Sequence, residues 1–353
     1  MRDQEDLAAV DAILRLSLIE GFTIDHLRRF GPANASEVSR PLIPAVRGTD
    51  LPVRVKRALS SPEADRNVET VRESCVRAGV AIVSWLSPDY PAPLREVPTA
   101  PLVLYRAGAP WRAGVVVAVV GSRSPTGPGK EFARILAGEL AGAGCVVASG
   151  MARGIDGAAH RGAMCAGGTT VAVLGCGVDV VYPPEHAGLR EEILCSGALY
   201  SEYPPGSLPL PHRFPARNRI ISGLCRGVVV AEARERSGAL VTARLALEQG
   251  REVMAVPGNP WYPHTAGSNR LLREGAAPVC GAADVLDAMG VPLCAGDGDL
   301  SGRLLAFLSR KRHVGEIGAS LSVGLPEILA LLTDLELANL VVKSAGDYYK
   351  RKS

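Results

Sequence analysis

Aromatic residues make up only 5% of the 353 positions, and charge of either sign is scarcely in excess, with 39 Lys and Arg against 36 Asp and Glu. A formal net charge of +3 excludes a uniformly basic coat, so any site for a polyanion has to be local. There is no run of about 18 apolar residues, and no membrane-spanning segment is expected. The opening Met-Arg-Asp-Gln-Glu-Asp lacks the basic start and apolar stretch of a secretory signal, which makes a cytoplasmic location the expectation. The eight cysteines, at positions 75, 145, 165, 176, 195, 225, 280 and 294, form no CxxC pair and no zinc-type spacing with histidine. Several lie in apolar runs, such as Cys145 before Val146-Val147, and read as small buried hydrophobes of a reducing compartment. No metal and no cofactor are expected.

What is present is a chain long enough for two or three domains, 47% hydrophobic and 21% charged. Residues 5–30 read as helical, with Leu7, Val10, Ile13, Leu14 and Leu18 near a 3.6-residue period, a turn at Gly21 and Thr23 as an N-cap. Residues 31–66 are richer in Pro and Arg, and 1–70 is taken as a small helical domain. From 80 to 290 short Val-rich runs recur: Val80–Trp85, Val115–Val120, Cys145–Ala148, Thr170–Leu174, Ala198–Ser201, Val228–Ala231 and Val253–Val256. They are too continuous to be half-exposed and read as buried parallel strands. Helical patterns alternate with them. Phe132, Ile135, Leu136 and Leu140 share one face, Leu240, Ala243 and Leu247 another, and Gly250 is a C-terminal stop. Strand-helix alternation predicts a doubly wound α/β sheet over 71–290. A Gly-rich linker, 291–302, then precedes a unit at 303–353. There Leu304, Leu305 and Leu308 begin one helix, Val314–Ser320 makes a second, and Pro326 opens a third with Ile328, Leu329, Leu332 and Leu335 on its apolar face. A hairpin over Leu340–Tyr349 completes the winged-helix order.

Ligands of such a sheet sit beyond the C-terminal strand ends, where loops meet helix N-termini. The loop Gly121-Ser-Arg-Ser-Pro-Thr-Gly-Pro-Gly129 lacks the Walker A spacing, since Glu131 follows Gly129-Lys130, and it lacks GxGxxG. Its Gly121, Ser122 and Arg123 suit an anion, although Arg123 is equally compatible with a surface arginine on a tight turn. The loop Ser149-Gly-Met-Ala-Arg-Gly-Ile-Asp156 brings Gly150, Arg153 and Gly154, with Asp156 as helix cap, and His160 reads as structural. In His212-Arg-Phe-Pro-Ala-Arg-Asn-Arg219, three arginines and Asn218 surround Phe214 with no carboxylate. Phe214 is suited to stack on a base while Arg217 and Arg219 pair phosphates, the alternative being a basic loop with Phe214 folded inward. Ser237 and Gly238, leading to Thr242, form a helix start that either takes a phosphate or is simply capped. A fifth loop runs from Val256-Pro-Gly-Asn to Gly267-Ser-Asn269-Arg270 and adds Asn269. Five Gly-rich, polar loops on one sheet edge describe a cationic groove that suits a polyanion better than a single nucleotide.

Taken together, these stretches resemble the DprA/Smf family. The resemblance is carried by Val119-Val-Gly-Ser-Arg123, Ser149–Asp156 with Ala159-His160, Val173–Asp179 with Tyr182-Pro183, and Ser201–Gly206. Phe214–Gly223, Ser237–Ala243 and Val256-Pro-Gly258 continue it, with Tyr90–Leu94 and Pro101–Tyr105 as lead-in. The resemblance implies an extended Rossmann fold, an N-terminal SAM-like domain, a C-terminal winged-helix domain and homodimerisation. It further implies non-enzymatic, sequence-nonspecific binding of single-stranded DNA and its delivery to the RecA recombinase in natural transformation. Helix 326–336 departs from a basic recognition helix: it carries Glu327, Asp334 and Glu336 and no Lys or Arg, so duplex binding and a protein-interaction or dimerisation role both stay open. The competing reading is a nucleoside-monophosphate phosphoribohydrolase of the same superfamily. Its Pro-Gly-Gly-x-Gly-Thr-x-x-Glu loop is replaced here by Glu232-Ala-Arg-Glu-Arg-Ser-Gly-Ala-Leu-Val-Thr242, and only Glu202 or Glu232 offer themselves as acid or base.

Overall fold

The computed structural model describes residues 2–19, 22–30, 53–59, 61–291, 304, 307–308, 311–321, 323–337 and 340–352. They fall into two compact units, Met1–Pro292 and Leu293–Ser353. Gly21, residues 31–52, most of the expected linker, Cys294 and Leu305 lie outside the described residues.

The first unit begins with helices α1 (Arg2–Ser17), α2 (Ile24–Phe30), α3 (Val53–Leu59) and α4 (Pro62–Ala78). Helix α4 has the termini its sequence dictates. The Ser61 hydroxyl accepts from the Ala64 amide, Pro62 opens the first turn, and Gly79 closes it at φ +63°. The buried face of these helices, Ile13, Leu14, Leu16, Leu27 and Val55, joins the same core as Val83 and Leu104 of the sheet. Thr23 is tied to the His26 ring, its hydroxyl 2.9 Å from Nδ1.

Nine strands form one sheet: β1 (Ala81–Ser84), β2 (Val103–Gly108), β3 (Val116–Val120), β4 (Val146–Ser149), β5 (Thr170–Leu174), β6 (Ala198–Ser201), β7 (Gly227–Val230), β8 (Glu252–Ala255) and β9 (Ala277–Pro278). Their order is β1-β2-β6-β5-β4-β3-β7-β8-β9. All neighbours from β6 to β9 are parallel. The first of the Val-rich runs is not a parallel strand: β1 pairs antiparallel with β2, which in turn pairs antiparallel with β6. At this edge Ala81 and Ile82 are only half-buried, whereas every residue of β3 is buried. Alternation along β3 explains its continuous Val-rich sequence. Val116, Ala118 and Val120 enter one core, and Val117 and Val119 enter the core on the opposite face.

Helices cover both faces. On one side lie α6 (Gly127–Gly142), α7 (Ile155–Cys165) and α12 (Ala282–Ala288), through Leu136, Leu140, Ile155, Ala159 and Val285. On the other lie α8 (Ala187–Ser196), α9 (Arg213–Leu224), α10 (Gly238–Glu248) and α11 (Ala266–Arg273), through Ile193, Ile220, Ala243 and Leu271. A short turn of helix, α5 (Ala92–Arg95), precedes β2. Two expected helix faces are corrected. In α6 the buried set is Ala133, Leu136, Ala137, Leu140 and Ala141, and Ile135 is 45% exposed. In α10 it is Ala239, Thr242, Ala243 and Ala246, and Leu247 is 61% exposed. Alanine makes up most of the buried set of both helices, and Ile135 and Leu247 are turned outward. Gly250 follows α10 at φ +68°, as a C′ residue should.

The second unit contains β10 (Arg312–His313), α13 (Val314–Leu321), α14 (Leu325–Leu337), β11 (Val341–Ser344) and β12 (Tyr348–Arg351). The strands pair antiparallel in the order β10-β12-β11. Leu304, Leu308, Ile317, Ile328, Leu332, Leu335, Val341 and Tyr349 form its core, and Leu329 is 38% exposed instead of joining that face. Among the described residues, no helix is long and apolar enough to cross a membrane.

Candidate nucleic-acid interface

From β3 the chain winds outward to β4, β5 and β6, then crosses back to β7 and winds the other way. The loops after β3 and β7 therefore part at the switch point, where a doubly wound sheet opens its crevice. A cavity of about 480 Å³ occupies this place. It is lined by Gly121–Ser124 after β3, by Arg234, Arg236 and Ser237 after β7, by the first turn of α10, and by Phe214, Pro215, Arg217, Asn218 and Ile221 of α9.

Backbone contacts throw Arg123 outward. The Ser122 amide donates to the Glu232 carbonyl at 2.7 Å, and the Ser122 carbonyl accepts from the Ile155 amide at 3.1 Å. Gly121 is required because a Cβ there would lie 2.6 Å from Ile155 Cγ1. Arg123 is exposed, and its guanidinium lies 5.5 Å from the Phe214 ring centroid. That ring also meets Tyr182, with centroids 5.2 Å apart. Phe214 is thus half-buried, with Arg123 and the ring forming one cation–π surface at the rim.

The stretch His212–Arg219 is not a loop but the start of α9, and its polar residues separate by helical geometry. Arg217 points down and is 4% exposed. Its Nη1 donates to the Gly150 carbonyl at 2.8 Å and to the Val173 carbonyl. Burial lowers its pKa to about 10, opposed by the charge of Asp156. Asp156 is not a helix cap: Gly154 holds that position. The Asp156 carboxylate instead turns back and accepts from the Gly150 and Ala152 amides at 3.1 and 3.3 Å, and burial raises its pKa. Gly150 makes room for this buried pair, since a Cβ would stand 2.6 Å from Arg217 Nη2 and 2.7 Å from Asp156 Oδ2. Asn218 remains at the cavity and reaches the Gly238 carbonyl at 3.4 Å. Arg219 leaves it and pairs with Glu202 at 2.5 Å.

Ser237 caps α10, its hydroxyl accepting from the Ala239 amide at 3.3 Å, so the positive end of the helix faces the cavity. Gly238 borders open space, and Thr242 is buried with its hydroxyl 3.5 Å from the Gly238 carbonyl.

Nine of the residues singled out from sequence are therefore brought together: Gly121, Ser122, Arg123, Phe214, Arg217, Asn218, Ser237, Gly238 and Thr242. Five are placed elsewhere. Gly150 packs beneath Arg217. Arg153 forms a two-point ion pair with Glu185, which pulls that carboxyl down to about 2. Gly154 supplies a turn at φ +76° and ψ −120°, Arg219 is paired, and Asn269 clamps the Gly258 backbone from both sides at 2.9 and 3.0 Å. Arg234 and Arg236 were missed. Their signal is the alternation Glu232-Ala-Arg-Glu-Arg directly after a strand, overshadowed by the Ser-Gly helix start beside it. No ion pair among the described residues engages Arg123, Arg234 or Arg236.

The carboxylates considered as acid or base are occupied. Glu232 accepts from the Thr126 amide at 3.0 Å and from its hydroxyl at 2.5 Å, fastening the start of α6. Glu202 holds Arg219. His160 is structural: it is fully buried, and its Nδ1 lies 2.7 Å from the Thr170 hydroxyl.

A model of the DNA recombination-mediator protein A family matches residues 69–290. DNA processing protein DprA of Bacillus subtilis is 37% identical over 230 residues, covering 65% of this chain and 76% of the relative. The X-ray structure of DNA processing protein A from Streptococcus pneumoniae superposes with a TM-score of 0.63 at 33% identity, over 80% of this chain and 94% of that one. DNA processing protein A from Helicobacter pylori, in a structure concerned with its single-stranded DNA binding mode, gives 0.53 at 28% identity, over 60% and 95%. With the family model spanning the whole parallel sheet and the switch-point cavity, the chain belongs to the DNA recombination-mediator protein A, or DprA/Smf, family.

Proposed function

We propose that the protein binds single-stranded DNA without sequence preference in the switch-point cavity and delivers it, as a homodimer, to the RecA recombinase. The observation that carries this reading is the rim: Arg123 over Phe214 on one side and Arg234 with Arg236 on the other, all free of carboxylate partners among the described residues. Guanidinium groups bind backbone phosphates whatever the base, and a ring–guanidinium surface stacks on any base. Phosphate pairing and stacking of this kind need no base edge, which supports sequence-independent binding. The family and the single-stranded DNA binding mode of the Helicobacter pylori relative support the same substrate.

The phosphoribohydrolase alternative needs a positioned acid or base, yet Glu202 and Glu232 are spent on Arg219 and Thr126. Asp156, the carboxylate at the cavity floor, is buried and held by two amides. A binding role rather than catalysis is therefore part of the proposal. So is the division into a SAM-like segment 1–70, an extended Rossmann body 71–290, a linker 291–302 and a winged helix 303–353. The order of α13, α14 and the β11–β12 hairpin around their own core supports the last assignment.

Fluorescence anisotropy of a labelled oligothymidylate against a duplex of equal length, at two salt concentrations, tests the proposal. Single strands should bind preferentially, with affinity falling as salt rises by a log–log slope of about −0.7 per neutralised phosphate. Arg123→Ala should weaken binding and flatten that slope by about one such step. Failure to bind either DNA, together with release of ribose 5-phosphate from nucleotides, would replace the proposal with the enzyme.

A further inference from the structure

The loop after β8 is tightly held. Asn269 clamps Gly258, and the Asn259 side chain accepts from the Trp261 amide at 2.9 Å. The Asn259 carbonyl accepts from the Tyr262 amide at 3.0 Å and from the Thr265 hydroxyl at 2.7 Å. A Cβ on Gly258 would stand 2.2 Å from Thr265 Cγ2, so the turn closes onto itself. This rigid loop nevertheless presents Trp261 at 87% and Tyr262 at 57% exposure, while the same unit buries Tyr90, Tyr105 and Tyr200 completely. In a chain so poor in aromatic residues, two adjacent exposed rings on fixed backbone form an unpartnered apolar surface.

Its position points to the occupant. β8 lies next to β7, so the loop leaves the same strand ends as the cavity. His264 of this loop meets Arg234, whose Nη2 is 3.1 Å from the ring Nε2, and Arg234 lines the cavity. Three residues of chain span at most about 10 Å, which keeps Trp261 within that reach of His264 along the backbone. Arg234 thus links the cavity to the loop that carries the two rings, in a molecule whose cavity already sets an arginine, Arg123, over an aromatic ring, Phe214.

We infer that Trp261 and Tyr262 are a second base-stacking platform, on which a single-stranded nucleic acid continues after it leaves the switch-point cavity past Arg234. The inference rests on the single-strand reading of that cavity. Phosphates follow the arginines, bases lie on the rings, and the hydrogen-bonded loop needs little ordering when a strand arrives.

The full chain tests it with oligothymidylates of about 4 and about 16 nucleotides, spanning common single-strand site sizes. Trp261→Ala with Tyr262→Ala should weaken the longer strand by roughly 5- to 150-fold per stacked base and leave the shorter one unchanged. Trp261→Phe with Tyr262→Phe should restore most of the loss. The longer strand should quench tryptophan fluorescence in the wild type and not in Trp261→Phe. Equal affinity of wild type and the alanine pair for the longer strand, while Arg123→Ala abolishes binding of the shorter, overturns the platform alone. Conversion of a dimer to a monomer by the alanine pair in size-exclusion light scattering also overturns it, assigning the rings to contact between copies. Binding of neither strand by wild type overturns the cavity reading and the platform with it.

Discussion

Arg123 and Arg217 come from the same kind of signal, an arginine beside glycines or an aromatic, and the fold gives them opposite tasks. Arg123 stands in solvent over Phe214, whereas Arg217 is buried on two carbonyls beside Asp156. Phe214→Ala removes both a stacking face and the seat of Arg123. Oligothymidylate affinity measured by anisotropy should drop by about 1–3 kcal/mol. His160 offers a pH test of the core. The Thr170 hydroxyl donates to the Val147 carbonyl at 2.7 Å, so its oxygen receives the His160 Nδ1 proton, while the buried Nε2 has no hydrogen-bond partner among the described residues to receive a second one. Burial, first of all, lowers its pKa to about 3. Between about 3 and the ordinary histidine value near 6.5 the unfolded chain binds a proton that the folded chain does not. This group's contribution is therefore complete above about pH 6.5 and is lost as pH falls towards 3, at up to about 1.4 kcal/mol per pH unit. Asp156, raised by burial, works with the opposite sign. Urea melts across this range should show a shallower acid loss for His160→Asn, which keeps an N–H for Thr170, than for wild type.

At the scale of elements, periodicity identified the helices better than their faces. The sequence pattern of α6 places Ile135 and Leu136 together, yet Leu136 is 1% exposed and Ile135 45%. The reason is close approach: the face of α6 that meets its neighbours is built from Ala133, Ala137, Gly138 and Leu140, with the Gly138 Cβ position 3.3 Å from the Gly162 carbonyl of α7. Leu136→Ala should cost about 2–5 kcal/mol in urea unfolding. Ile135→Ala should stay within about 0.5 kcal/mol. The start of α9 carries the same lesson for the site. An arginine-rich stretch read as a loop is a helix, and its turn sends Phe214 and Asn218 to the cavity, Arg217 into the floor and Arg219 to Glu202.

At the scale of the molecule, the cavity, Arg123, Arg234 and Arg236 all belong to the unit Met1–Pro292. A fragment ending at Pro292 should bind oligothymidylate within about threefold of the full chain, a difference under about 0.7 kcal/mol. A larger loss would give the second unit a share in DNA binding despite the acidic Glu327, Asp334 and Glu336 of α14. What the chain determined by itself was local. Val-rich runs specify strands buried on both faces, Ser61, Pro62, Gly79 and Gly250 specify helix ends, and glycines mark the turns at 121 and 154. These follow from side-chain period and backbone sterics, which act within a few residues. Only the tertiary structure decided that β1 joins the edge antiparallel, that Arg153 and Arg219 are neutralised by Glu185 and Glu202, and that Arg234 and Arg236 line one cavity with Arg123. Each of these depends on partners brought together by the order of the strands in the sheet, and the last of them by the reversal between β3 and β7. Charge pairing and burial are properties of that assembly and cannot be read along the chain.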